Sequence, residues 1–68
     1  MTPTIQQLTR RRLVNKIPRR ALVEAGIGCE ETWILRLESG YQGNRLAYWR
    51  DQYETALNAV LEDRKGRR

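Results

Sequence analysis

The stretch AGIGCEETWILRLESG, residues 25–40, decides how this chain folds. Gly26 and Gly28 stand near its start, Glu30 and Glu31 follow, and Ser39 and Gly40 close it. Trp33, Ile34 and Leu37 recur at spacings of three and four, which gathers them on one face of a helix. The pattern predicts a helix over 30–39, set off by glycines at both ends. The two carboxylates belong in its first turn. There each meets the positive end of the helix dipole, worth a few tenths to about 1 kcal/mol.

Upstream, Pro18 is suited to open a helix over 18–26. Leu22 and Ala25 share a face of it, with Ala21 beside them, and Gly26 and Gly28 end it. A short helix, a glycine turn and a second short helix make a helix-turn-helix over 18–39. Before it, a helix is expected over 4–15, with apolar positions Ile5, Leu8, Leu13 and Val14 interrupted by Thr9 and Arg12. Two starts compete: Thr2 as N-cap before Pro3, or Thr4 with Gln7 as a capping box.

Downstream, YQGN at 41–44 reads as a turn, and Asn44 is a cap for a helix over 45–63. Leu46, Trp49, Tyr53, Leu57 and Val60 form its stripe, widened by Ala56 and Leu61. The ending DRKGRR reads as charged and frayed, with 64–68 a basic tail. No repeat, low-complexity linker or strand-like alternation is present. The expected fold is all-α: one domain over 1–63, a compact bundle of four to five helices containing the helix-turn-helix.

Composition narrows function. A chain of 68 residues buries only about 60% of its unfolded surface, so its core is small. One cysteine and no histidine leave no internal disulfide and no structural zinc site. Cys29 reads as a small buried hydrophobe. No apolar run approaches 18 residues, so no membrane span, and a cytoplasmic location is expected. The net charge of +5 and pI near 10.1 favour a polyanionic partner, against the plainer reading of a soluble, charged surface. No nucleophile–base pair or phosphate-cradling glycine loop is visible, so neither an enzyme, a cofactor nor a small-molecule substrate is expected.

GIGCEETWILRLESG resembles the second half of the Cro/repressor-type (XRE-like) helix-turn-helix. Gly28 matches the turn glycine, Cys29 the small apolar place, Glu30 the cap, and Ile34 and Leu37 the two buried places. RLESG, Arg36 to Gly40, matches the closing signature, with Glu38 ten positions after Gly28. The likeness covers about 15 residues and is weaker over 17–27, where IPRRALVEAG lacks the expected glutamine and L-A pair. There Leu22 takes the buried place if one extra residue precedes Gly28; otherwise Val23 does.

The resemblance implies a lambda repressor-like fold and a recognition helix that reads the major groove. Its outward residues would be Glu31, Thr32, Leu35 and Arg36. Arg36 suits guanine, Thr32 a thymine methyl or a polar edge, Leu35 a thymine methyl, and Glu31 cytosine N4. Two of them have a structural alternative: Glu31 serving the helix dipole, Arg36 pairing with Glu38 or another nearby acid. Trp33 reads as core rather than as a stacking platform. Glu38 reads as structural, paired with an arginine of the first helix. In related folds the loop after the recognition helix lies along the sugar-phosphate strand, which brings in Tyr41, Gln42, Asn44 and Arg45.

Arg19 and Arg20, at the start of the second helix, form an expected phosphate site where guanidinium and backbone N–H groups converge. Consecutive Arg10, Arg11 and Arg12 are spread around the first helix and cannot all meet one phosphate row. Tyr48 and Ala59 lie off the main stripe of the last helix and are the expected homodimer contacts. The first functional expectation is a sequence-specific regulator binding double-stranded DNA, a repressor of the small phage type. The competing classes are a basic protein-interaction module or inhibitor using the helix-turn-helix as scaffold, and an architectural or RNA-binding protein.

Overall fold

In the computed structural model, which describes residues 3–66, the chain forms four α-helices and, among those residues, no strand. They are α1 (Ile5–Val14), α2 (Arg19–Glu24), α3 (Glu31–Glu38) and α4 (Leu46–Gly66). The capping box starts α1: Thr4 Oγ1 accepts from the Gln7 N–H at 3.1 Å, and Gln7 Oε1 accepts from the Thr4 N–H at 2.9 Å. The competing cap, Thr2, lies outside the described residues.

The buried face of α1 is Ile5, Leu8 and Arg12. This corrects the expected stripe. Leu13 and Val14 are 61% and 74% exposed, and the arginine holds the inner position. The reason is periodic: residues 5, 8 and 12 follow the three-then-four rhythm of a helix face, and 13 and 14 fall off it.

Both α1 and α2 end in the same motif. After α1, the Lys16 N–H donates to Leu13 O at 3.0 Å and the Ile17 N–H to Arg12 O at 3.0 Å, with Lys16 left-handed at φ 55°. After α2, the Gly26 N–H donates to Val23 O at 3.1 Å and the Ile27 N–H to Leu22 O at 3.2 Å, with Gly26 at φ 93°. This double closure satisfies the last carbonyls and turns the following apolar residue back onto the helix. Ile17 and Ile27 are accordingly both buried to 1% exposure.

The second helix ends at Glu24, earlier than expected, because Ala25 is its cap and Gly26 its left-handed stop. Leu22 is buried and Val23 lies outside. Ala21 is half-buried, but Ala25 is exposed rather than sharing the inner face with Leu22. Gly28, at φ 86°, completes the change of direction before α3. Glu30 occupies the cap position of α3 through its backbone; its side chain makes no capping bond. Ile34 and Leu37 are fully buried.

The start of α4 also differs from expectation. Arg45, not Asn44, sits at the cap, since its carbonyl takes the first helical bond, from the Trp49 N–H at 3.0 Å. The helix continues past 63 to Gly66. Arg64 explains the extension: its Nη1 donates to Asn15 O at 2.6 Å and so ties the end of α4 to the end of α1. Residues 67 and 68 of the expected basic tail lie outside the described residues.

One core joins the helices: Leu8, Ile17, Leu22, Ile27, Ile34, Tyr53, Ala56 and Leu57, with Ala21, Cys29, Val60 and Leu61 packed against it. Burying each large aliphatic side chain is worth about 1.5–3 kcal/mol. Burial also pushes the Cys29 thiol up from its usual pKa, away from the reactive thiolate.

Candidate nucleic-acid interface

The outward face of α3 follows from what anchors the inward one. With Ile34 and Leu37 in the core, Glu31, Thr32, Leu35 and Arg36 are all exposed. Leu35 is a large apolar side chain 48% open to solvent in the middle of that face. Arg36 is not paired with Glu38. Its guanidinium lies over the Trp33 ring, 5.6 Å from the centroid.

Glu38, at the end of α3, instead takes hydrogen bonds from every other helix. Arg12 of α1 reaches it through Nε at 3.0 Å and Nη2 at 3.2 Å. Arg19 of α2 donates through Nε at 2.9 Å, and the Tyr53 hydroxyl of α4 donates at 2.6 Å. Arg12 Nη1 donates to Ile17 O at 2.8 Å and Nε also to the Tyr53 hydroxyl at 3.0 Å, so each of the three guanidinium nitrogens makes a hydrogen bond. Burial first, then the Glu38 carboxylate beside it, push the Tyr53 phenol up to about 12, which keeps it protonated as a donor. The cluster orients α3 against the other three helices.

The expected phosphate site at the start of α2 is therefore divided. Arg19 spends its Nε on Glu38 and its side chain is 36% exposed, while Arg20 is exposed and makes no ion pair among the described residues. The Arg19–Glu38 bond also brings the beginning of α2 beside the end of α3. Arg36 and Arg45 likewise lack an acidic partner among the described residues. Of the expected loop residues, Gln42, Asn44 and Arg45 are exposed and Tyr41 is half-buried. Gly43 permits that placement, because a Cβ there would overlap the Tyr41 ring.

Trp33 is half-buried rather than a core residue. It belongs to an aromatic run that sequence reasoning did not anticipate: Trp33 meets Tyr41 at 5.3 Å and Trp49 at 5.8 Å, and Trp49 meets Tyr48 at 5.0 Å, all edge-on. Arg45 lies 4.5 Å from the Tyr48 centroid at its far end. The run links α3, the loop and α4, so no helical spacing within one element could reveal it. Arg12 was detectable, since it continues the Ile5–Leu8 rhythm. Ile17 and Ile27 were also detectable, as the apolar residues that follow a helix stop.

Tyr48 and Ala59 are both exposed. They are eleven positions apart on α4, which puts them on one side of the helix about 16 Å apart, with polar Gln52 and Thr55 between. Ala59 borders a shallow hollow between α2 and α4 that includes Ala21, Glu24 and Ala25. Among the described residues no helix is long and apolar enough to cross a membrane, and no three potential metal ligands come together. The chain matches no family model, no curated protein and no solved structure.

Proposed function

We propose that this protein is a sequence-specific regulator that binds double-stranded DNA through a Cro/repressor-type helix-turn-helix and acts as a repressor. The observation that carries the reading is the outward face of α3. Thr32, Leu35 and Arg36 are open to solvent on a helix anchored from behind by Ile34 and Leu37. An exposed leucine between a threonine and an arginine suits a base-reading surface, because thymine offers a methyl and guanine a bidentate acceptor pair.

In this reading α3 enters the major groove. Arg36 reads guanine, Leu35 and Thr32 contact thymine methyls, and Glu31 supports the helix start. Arg20, Arg45, Gln42 and Asn44 contact phosphates and set register without reading sequence. Arg19 does the same with its Nη groups, its Nε being held by Glu38. The net charge of +5 supplies the salt-dependent part of the affinity. A second copy, meeting the first through Tyr48 and Ala59 of α4, sets two α3 helices on half-sites about one DNA turn apart.

Selection of bound sequences from a random duplex pool tests the proposal. An enriched palindrome with fixed half-site spacing is expected. A pool that stays random after repeated rounds rejects sequence-specific recognition. Sedimentation at micromolar concentration tests the pairing; a strict monomer removes the dimer.

A further inference from the structure

The Trp33 ring is held by neighbours from two other parts of the chain. Tyr41, in the loop after α3, meets it edge-on at 5.3 Å, and Trp49, on α4, at 5.8 Å. Its indole N–H is buried and finds no acceptor among the described residues. The indole is thus flanked by edge-on ring contacts and not anchored by an N–H hydrogen bond among the described residues. An indole that is not satisfied by a hydrogen bond costs stability, so its place in the run calls for a different explanation.

What the held ring does is support Arg36. The guanidinium sits over it at 5.6 Å, three positions along the same helix. An exposed arginine samples many rotamers and must lose that freedom to make a bidentate contact with a base. A guanidinium already resting on a fixed aromatic face loses less. Among the described residues Arg36 makes no ion pair, and Glu38 is occupied by Arg12, Arg19 and Tyr53.

We propose that Trp33 is a specificity-determining positioning residue: its indole, wedged by Tyr41 and Trp49, presets Arg36 for base recognition. The inference rests on the DNA-reading role given to Arg36 above. Trp33 itself touches no base. Its effect passes through the arginine, so it bears on the ratio of specific to random binding and not on phosphate attraction.

A double-mutant cycle on the selected duplex and a scrambled one tests this. Trp33→Leu in the otherwise unchanged protein should lower the specific-to-random ratio by about two- to fivefold. In an Arg36→Ala background the same change should leave the ratio where Arg36→Ala alone put it. Trp33→Phe, which keeps a ring under the guanidinium, should fall between, and it carries the cycle if Trp33→Leu does not fold. Equal losses in the two backgrounds would mean that Trp33 is merely structural and would overturn the inference. If Arg36→Ala leaves the ratio unchanged, the role of Arg36 fails and the inference with it, while DNA recognition by the wild-type protein stands. A wild-type ratio of one rejects the functional reading itself. A second measurement needs no DNA. In Trp49→Phe protein, under excitation selective for tryptophan, Trp33 alone reports, and Arg36→Gln should change its fluorescence; an unchanged spectrum overturns the stack.

Discussion

Arg12 and Glu38 face each other at 3.0 Å with side chains only 5% and 6% exposed, an ion pair taken almost wholly out of water. Arg19 and Tyr53 complete it, so a single carboxylate binds all three of the other helices. Such a pair adds little over a well-packed apolar substitute, because desolvation offsets its attraction. Breaking it is another matter, since the survivor is left charged and buried.

Glu38→Ala should therefore destabilise the domain by about 3–5 kcal/mol, enough to unfold much of a chain this small. Pairing it with Arg12→Met should recover part of the loss, because no unpaired charge then remains inside. Urea denaturation of the two single variants and the double variant measures this. Strict additivity would contradict the coupling.

Tyr53 makes the fold sensitive to alkali. Its phenol is raised in the folded protein from 10.0 to about 12, by burial first and by the Glu38 carboxylate second. A raised acid favours the folded state while it is protonated. The stabilisation, on the order of 2 kcal/mol, is complete below pH 10 and is lost as pH rises toward 12. Tyr53→Phe, weaker near neutrality by about 1–2 kcal/mol from the lost hydrogen bonds, should show a flatter decline. Stability curves that run parallel over this range would count against the assignment.

Lys16 adopts the left-handed conformation, φ 55°, that ends α1. Glycine holds the equivalent place after α2 without a Cβ penalty. Lys16→Gly should raise stability by about 0.5–1 kcal/mol, seen as a higher thermal midpoint. A lower midpoint would mean that the lysine side chain makes a compensating contribution.

Leu8 and Leu13 separate the two sides of α1. Leu8→Ala opens a cavity in the core and should cost about 2–5 kcal/mol. Leu13→Ala, at a site 61% exposed, should stay within about 0.5 kcal/mol of the parent. Similar losses would place Leu13 inside.

On DNA, Arg36→Ala should relax preference at one base position, a discrimination of about 1–3 kcal/mol. Arg20→Ala should weaken selected and scrambled duplexes alike and reduce the salt slope by about 1. Both effects are read by titration at several salt concentrations. Indistinguishable behaviour would undo the separation into base-reading and phosphate-binding arginines.

Much of this molecule is legible along the chain because its signals are local. The Thr4 capping box (one of two competing starts), the glycines before α3, and the inward Ile34 and Leu37 rest on spacing within about one or two helical turns, while the outward Thr32 and Arg36 are expected from the family resemblance. The sequence by itself thus determined an all-helical chain, the approximate limits of its helices, and the inward Ile34 and Leu37 of α3. It also pointed to an acid at 38 paired with an arginine of α1. Only the tertiary structure decided what the Arg12 side chain meets: the Glu38 carboxylate, the Tyr53 hydroxyl and the Ile17 carbonyl. It also decided that Tyr53 and Arg19 share the same carboxylate and that the Arg36 guanidinium lies over the Trp33 ring. The physical reason is reach. Periodicity reports the direction of a side chain relative to its own helix, whereas a buried charge or a wedged indole is defined by atoms from segments distant in sequence.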